Sequence, residues 1–182
     1  MSLTRLPLVV LLGLFALVPL SAGAASKQEL DAKVREATQE LYRTSSAAKE
    51  LAAKAHGMLV YPAVYKGGIG IGGEYGEGAL IVGGHTADYY NIASASVGFQ
   101  LGAQRKSVVV LFMTAEALKG FRDSQGWKAG VDGSVAIATL GAGGQLDTDT
   151  VQKPIIGFVF SNQGLMYNLT LEGSKISRIT KK

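Results

Sequence analysis

Gly68, Gly70 and Gly73, inside the stretch YKGGIGIGGEYGEGAL at residues 65–80, have the G-x-G-x-x-G spacing that can lay backbone N–H groups against a pyrophosphate. That chemistry needs a strand before the loop, a helix starting within it and an acidic residue about twenty positions on. After Gly73 the chain continues EYGEGALIVGG, a strand-like stretch with no helix start. Without a helix N-terminus, the dipole and free N–H groups that hold phosphate are missing. Asp88 stands only loosely in the acidic position. No Gly-Lys-Ser/Thr is present as in a P-loop, and no Val-Ala-x-Lys strand as in a kinase. The glycines therefore read as places where strands bend and pack closely.

Other chemistry-bearing residues are sparse. Paired carboxylates work as acid and base only from a shared cleft. Glu74 and Glu77, three apart in strand-like sequence, point to opposite faces and read as solvated turn residues. The two histidines, His56 and His85, lack HxxxH or HxH spacing, and no G-x-S-x-G elbow is present. His56 falls at a helix end, where its charge suits the dipole; His85 comes after Gly83-Gly84 in a turn. Asp147 and Asp149 in LDTDT lack the further ligands, glycine and distal glutamate of a calcium loop, and read as polar loop. Asn168-Leu169-Thr170 spells a glycosylation sequon but lies in an apolar strand pattern. Cysteine is absent, which excludes disulfides, thiol nucleophiles, thiolate metal sites and a lipid-anchored cysteine. No catalysis, metal or cofactor is expected.

The elements that must carry any binding site are clearer. The length of 182 residues suits one domain. Arg5, an apolar run over 6–20 and Ala22-Gly23-Ala24 read as an export signal over residues 1–24, with an uncleaved anchor as the alternative. The single domain then spans 25–182. Without Arg5, 17 of the 18 Lys and Arg residues stand against 14 Asp and Glu, a formal charge of +3. That permits an anionic surface as partner, and no clustered Lys/Arg run points to nucleic acid.

Residues 27–56 read as a helical arm. Ser26 and Glu29 fit a capping box, and Leu30, Val34, Ala37, Leu41, Thr44, Ala48, Leu51 and Ala55 form one stripe. Thr44-Ser45-Ser46 is a point where one helix could become two, and Gly57 is a candidate C-cap. From 57 to 180 the period falls to two. GMLVYP, with Pro62 near its end, and GALIVGG read as strands, and residues 89–104 alternate over a long span. KSVVVLFM reads as a strand buried on both faces. TAEALKGFRDSQG breaks the pattern with a short helix that Thr114 can cap. GSVAIATL, a hairpin through Asn162-Gln163-Gly164, and KISRI complete the β-rich core. The fold class is α+β: a helical arm, then a large, strongly curved, mainly antiparallel and barrel-like sheet, with one short crossing helix.

The blocks AKAHGMLVYP, KGGIGIGGEYGEGALIVGG, ASASVGFQLGAQRKSVVVLFMTAEALKGF, GVDGSVA and GLMYNLTLEGSKI, in that order, resemble the SYLF domain family. The family is also named for an actin-binding domain of yeast endocytic adaptors. The resemblance spans residues 30–179. It implies binding of phosphoinositides or other anionic phospholipids, actin binding in some eukaryotic members, and no catalysis. With its export signal, the chain looks like an exported bacterial branch, periplasmic and peripherally membrane-associated. Actin is not expected there, so the lipid function is the one that carries over.

Two basic sets could meet an anionic membrane. The arm would lay its apolar stripe on the bilayer with Lys33, Arg35, Arg43, Lys49 and Lys54 at the headgroups; the alternative is that the stripe packs on the protein's own sheet. The second set is Arg105, Lys106, Lys119, Arg122 and Lys128. Two other functional classes remain: an interaction or scaffold protein using an exposed sheet edge, and an outer-membrane β-barrel, against which the arm and the non-alternating SVVVLFM run argue.

Overall fold

The computed structural model describes residues 26–140, 148–164, 171 and 173–182. Residues 1–24, read above as an export signal, Asp147 and the sequon at Asn168 lie outside the described residues. Helix α1 (Lys27–Thr44) starts at Ser26, whose hydroxyl accepts from the Glu29 N–H. Glu29 gives its carboxylate to Lys33, 2.7 Å away, so the capping box is closed from one side. Ser45 is extended. It ends α1 and caps α2 (Ser46–Lys54) by accepting from the Ala48 N–H, so the arm is two helices.

Leu30, Val34, Ala37, Leu41 and Ala48 are buried against Met58, Val60, Val109, Leu111, Ile156, Phe158 and Phe160. The stripe thus covers the protein's own sheet, and the bilayer expectation for it is overturned. Burial on the sheet removes the same apolar area from water without a membrane. Tyr89 fastens the arm further, its hydroxyl donating to both Asp31 carboxylate oxygens at 2.9 and 3.0 Å. Burial first, then that hydrogen bond and the Asp31 charge, push the Tyr89 hydroxyl up to about 12. A tyrosine with a raised pKa in the fold stabilises it fully below the unfolded value near 10, and the contribution is lost as pH rises through about 12. Tyr89→Phe is expected to cost about 1.5–3 kcal/mol at neutral pH. Wild type should lose more stability than the variant between about pH 10 and 12, followed by urea unfolding and tyrosinate absorbance.

GMLVYP and GALIVGG are parts of one strand, β1 (Gly57–Val82), paired antiparallel with β2 (His85–Phe112) through the two-residue turn Gly83-Gly84. Both turn glycines have positive φ, 59° and 80°, as a type I′ hairpin requires. Gly57 opens β1 and does not cap α2, whose C-cap is Ala55. Pro62 does not end the strand. It sits in a bulge between Tyr61 and Val64, where its missing N–H breaks no ladder, and its carbonyl accepts from the Ser107 hydroxyl at 2.9 Å.

Midway, the register shifts between Ile69 and Ile71 and the hairpin folds over. A Cβ on Gly68 would lie 2.3 Å from the Ile71 carbonyl oxygen, and one on Gly78 would lie 2.3 Å from that of Val60. The distal half of the hairpin pairs with β6 (Lys175–Ile179), which pairs with β3 (Trp127–Lys128). The proximal half pairs with β5 (Ile155–Gly164), which holds β4 (Ala136–Thr139) in parallel. Helix α3 (Ala115–Asp123), capped by Thr114, leads from β2 towards β3, and a one-turn α4 (Thr148–Val151) precedes β5.

Between the two half-sheets lie Leu59, Tyr61, Leu80, Ile92, Val108, Val110, Phe112 and Ile176, with Phe121 of α3 in ring contact with Tyr90, Phe112 and Trp127. Val109 and Leu111 point the other way, under the arm, so the SVVVLFM strand is buried on both faces. The sheet is strongly curved, and among the described residues it runs from β3 to β4 without closing. An apolar inner core and helices on the outer face do not suit an outer-membrane barrel, whose alternation is the reverse. Two smaller expectations also change. Gln163 and Gly164 pair with Arg105 and Gln104 inside β5, so Asn162-Gln163-Gly164 is not a hairpin turn. Asp149 lies in α4, not in a polar loop.

Candidate functional site

Lys33, Arg35, Arg43, Lys49 and Lys54 are exposed on α1 and α2. They stand away from the buried stripe, and Lys33 shares one cleft with Arg105. Lys128 is exposed in β3, where its backbone N–H donates to the Asp132 carboxylate at 2.6 Å. Arg105 is half-buried in a cleft between α1 and β1.

Lys106 must be withdrawn from the basic surface. Its side chain is fully buried and its ammonium lies 3.2 Å from the Glu74 carboxylate, itself 3 % exposed. Lys106 lies opposite Val64 in the proximal half of the hairpin, and Glu74 opposite Ser94 in the distal half. The ion pair therefore joins the two folded halves. Glu74 is correspondingly not a solvated turn residue. Position parity carried this signal: Lys106 shares a strand face with Val108, Val110 and Phe112, which all enter the inner core.

The structure brings Lys119 and Arg122 together on α3 and adds two residues from elsewhere in the chain. With Arg178 of β6 and His56 after α2 they line a pocket of about 480 Å³, whose apolar lining is Val82, Ala115 and Leu118. Asp88, buried beside them, accepts from the Arg178 guanidinium and lies 3.6 Å from that of Arg122. Lys119 pairs with Asp123, four residues on. The Arg122 and Arg178 side chains stay 45 % and 65 % exposed, so each can reach a ligand while anchored by Asp88. Three cations, an imidazole and the Asp123 carboxylate line this one opening, with Asp88 beneath the arginines, which leaves a net positive charge that suits an anionic group such as a phosphate. Sequence spacing could not find Arg178, because the pairing of Tyr90 with Arg178 is what places it there.

Among the described residues no group of three His, Cys, Asp or Glu side chains could hold a metal, and no helix is long and apolar enough to cross a membrane.

Residues 93–182 match the family model of Ysc84, described as Las17-binding protein actin regulator. The chain carries a Ysc84 (SYLF) domain. The match starts inside β2 and takes in α3 to β6, and with them Lys119, Arg122, Asp123 and Arg178. The arm and β1, whose sequence also resembles the family, precede the matched span. No curated protein matches the chain. Ysc84 is a family of binding domains linked to actin and lipid, which makes a membrane or protein partner the general expectation. The Ysc84 half supplies most of the basic pocket, while the helices packed on its outer face come from outside the match.

Proposed function

We propose that this chain is a non-enzymatic, peripheral phospholipid-binding module of a bacterial cell envelope, exported and periplasmic, that binds anionic phospholipid headgroups, phosphoinositides among them. The observation that carries this reading is the pocket of Lys119, Arg122, Arg178 and His56 between α3 and β6. Its guanidiniums are held in place by Asp88, so less side-chain freedom is lost when a phosphate arrives. Membership of Ysc84 supports a lipid role. Actin, the family's other partner, is not expected in a periplasm.

Co-sedimentation with liposomes of rising anionic fraction tests the proposal. Binding should rise with phosphatidylglycerol and fall with salt. The double variant Lys119→Gln, Arg122→Gln keeps Arg178 on Asp88, so the buried carboxylate is not orphaned. At about 1 kcal/mol per basic side chain near an anionic surface, the two substitutions should weaken binding about thirtyfold at low salt. Salt-insensitive binding, or a variant equal to wild type, would place the lipid contact elsewhere. No binding at low salt would favour a scaffold role. The edge for that role is β1, which among the described residues pairs only with β2 and exposes Tyr65, Ile71 and Tyr75.

A further inference from the structure

The cleft that holds Arg105 differs in chemistry from the basic pocket. It encloses about 260 Å³ and is lined by Lys33, Glu36, Ala37 and Glu40 of α1, Pro62, Ala63 and Tyr65 of β1, and Arg105 and Ser107 of β2. Two cations and two carboxylates thus face one space. Among the described residues Arg105 makes no side-chain hydrogen bond and no ion pair within 4 Å, although Glu36 and Glu40 line the same cleft. Glu36 is equally without a partner. Charges of opposite sign that share a cleft yet stand apart leave room for a ligand bearing both.

Two backbone irregularities shape this cleft. On one side of β2 the bulge at Pro62 and Ala63 interrupts pairing with β1, and on the other a bulge interrupts pairing with β5 between Arg105 and Ser107. Ser161 and Asn162 stand opposite Lys106 in the second, and Ser161 is the one described non-glycine residue with positive φ, at 52°. Its hydroxyl donates to Glu40 and so fixes that carboxylate from the far side. Bulges re-aim side chains, and a left-handed serine costs conformational energy that a purely structural strand would not need. The first irregularity lies opposite Ser107 and the second between Arg105 and Ser107, the two residues of β2 that line the cleft.

We propose that this cleft binds the phosphoethanolamine group, a primary ammonium joined to a phosphodiester, as the headgroup of a zwitterionic phospholipid. Arg105 takes the phosphate, and Lys33, whose ammonium also holds Glu29 at 2.7 Å, adds positive charge beside it. Glu36 and Glu40 accept from the ammonium, and the face of Tyr65 flanks it. The volume is below that of a pocket for a whole drug-sized molecule, so acyl chains stay outside. Tyr65 at the rim, with Ile71 and Tyr75 further along β1, is exposed at 59 %, 71 % and 48 %, respectively. Such a set suits the interfacial layer of a membrane, where tyrosine sits at headgroup level. This inference rests on the phospholipid reading and names a second headgroup class for it.

The test compares vesicles of phosphatidylcholine alone with vesicles containing added phosphatidylethanolamine or added phosphatidylglycerol, at fixed salt, using the chain without residues 1–24. Glycerophosphoethanolamine in solution serves as competitor and as a calorimetric ligand. Ethanolamine lipid should raise binding over choline lipid alone, because only the primary ammonium donates N–H bonds to Glu36 and Glu40. The variant Glu36→Gln, Glu40→Gln should lose that gain by at least about tenfold while its binding to phosphatidylglycerol stays unchanged, which also shows that it is folded. Arg105→Gln should lose it as well. Competition by the soluble headgroup supports recognition of the headgroup itself, whereas calorimetric binding without vesicle binding overturns the lipid assignment and leaves the free compound as the ligand. No gain over choline vesicles, or a carboxylate variant equal to wild type on ethanolamine vesicles, overturns the inference. Binding to phosphatidylglycerol alone would do so while leaving the general lipid reading intact, whereas binding to no vesicle would remove both.

Discussion

Lys106→Met is expected to lower the unfolding free energy by about 3–5 kcal/mol, the cost of leaving a buried charge without its partner. Glu74 lies at 3 % side-chain exposure, 3.2 Å from the Lys106 ammonium, and has no route to water in the folded hairpin. A domain of this kind has roughly 5–15 kcal/mol in total, so the single variant should unfold at much lower urea. The double variant Lys106→Met, Glu74→Leu should recover most of the loss. Two apolar side chains of similar volume need no desolvation of charge, and replacing a buried pair in this way is often neutral or stabilising. Urea unfolding of wild type, both single variants and the double variant closes the cycle. A single variant within about 1 kcal/mol of wild type would mean that Glu74 reaches solvent, and with it that the two half-sheets do not meet as described.

Gly78→Ala should be nearly as damaging, and Gly73→Ala nearly silent. A Cβ at position 78 would lie 2.3 Å from the Val60 carbonyl oxygen and 2.6 Å from the Tyr61 ring, inside the crossing of β1 over itself. Neither neighbour is the loose end of a flexible side chain. The half-sheets must part to admit the methyl, at about 1–3 kcal/mol or more. At position 73 the nearest atom is 3.9 Å away, and the residue is exposed. Thermal unfolding of the two variants compares them directly. The result bears on why the stretch is rich in glycine. A dinucleotide loop needs each of its three glycines, whereas a bend needs only those where backbones touch, such as Gly68, whose Cβ would meet Ile71 at 2.3 Å. Equal and severe loss at both positions would contradict this division.

Much of the fold is legible because it rests on local chemistry. The 4-3-4-3 stripe, the capping serines 26 and 45, the Thr114 cap and the doubly buried SVVVLFM run all depend on near neighbours along the chain. The departures share one cause. GMLVYP and GALIVGG read as separate strands because Pro and Gly punctuate them, yet a bulge at Pro62 and a bend at Gly68 carry one strand through both. Lys106 reads as a second surface cation beside Arg105, although adjacent residues of a strand face opposite ways. One of the two lines the outer cleft and the other lies in the folded interior.

The order of residues alone establishes what this protein lacks and what its pieces are. It has no cysteine and no nucleotide loop, and it has an amphipathic arm and a glycine-rich run of strands. Periodicity and side-chain chemistry are local, and they can be read from spacing. Which face of the arm is covered, which cations stay at the surface and which meet in a pocket emerge only from the folded chain. Those outcomes depend on pairings between distant segments, such as Tyr90 with Arg178 and Lys106 with Glu74. The folding-over of the hairpin at Gly68 sets them. It sends half of a uniformly patterned strand against the other half, and no local period records that contact.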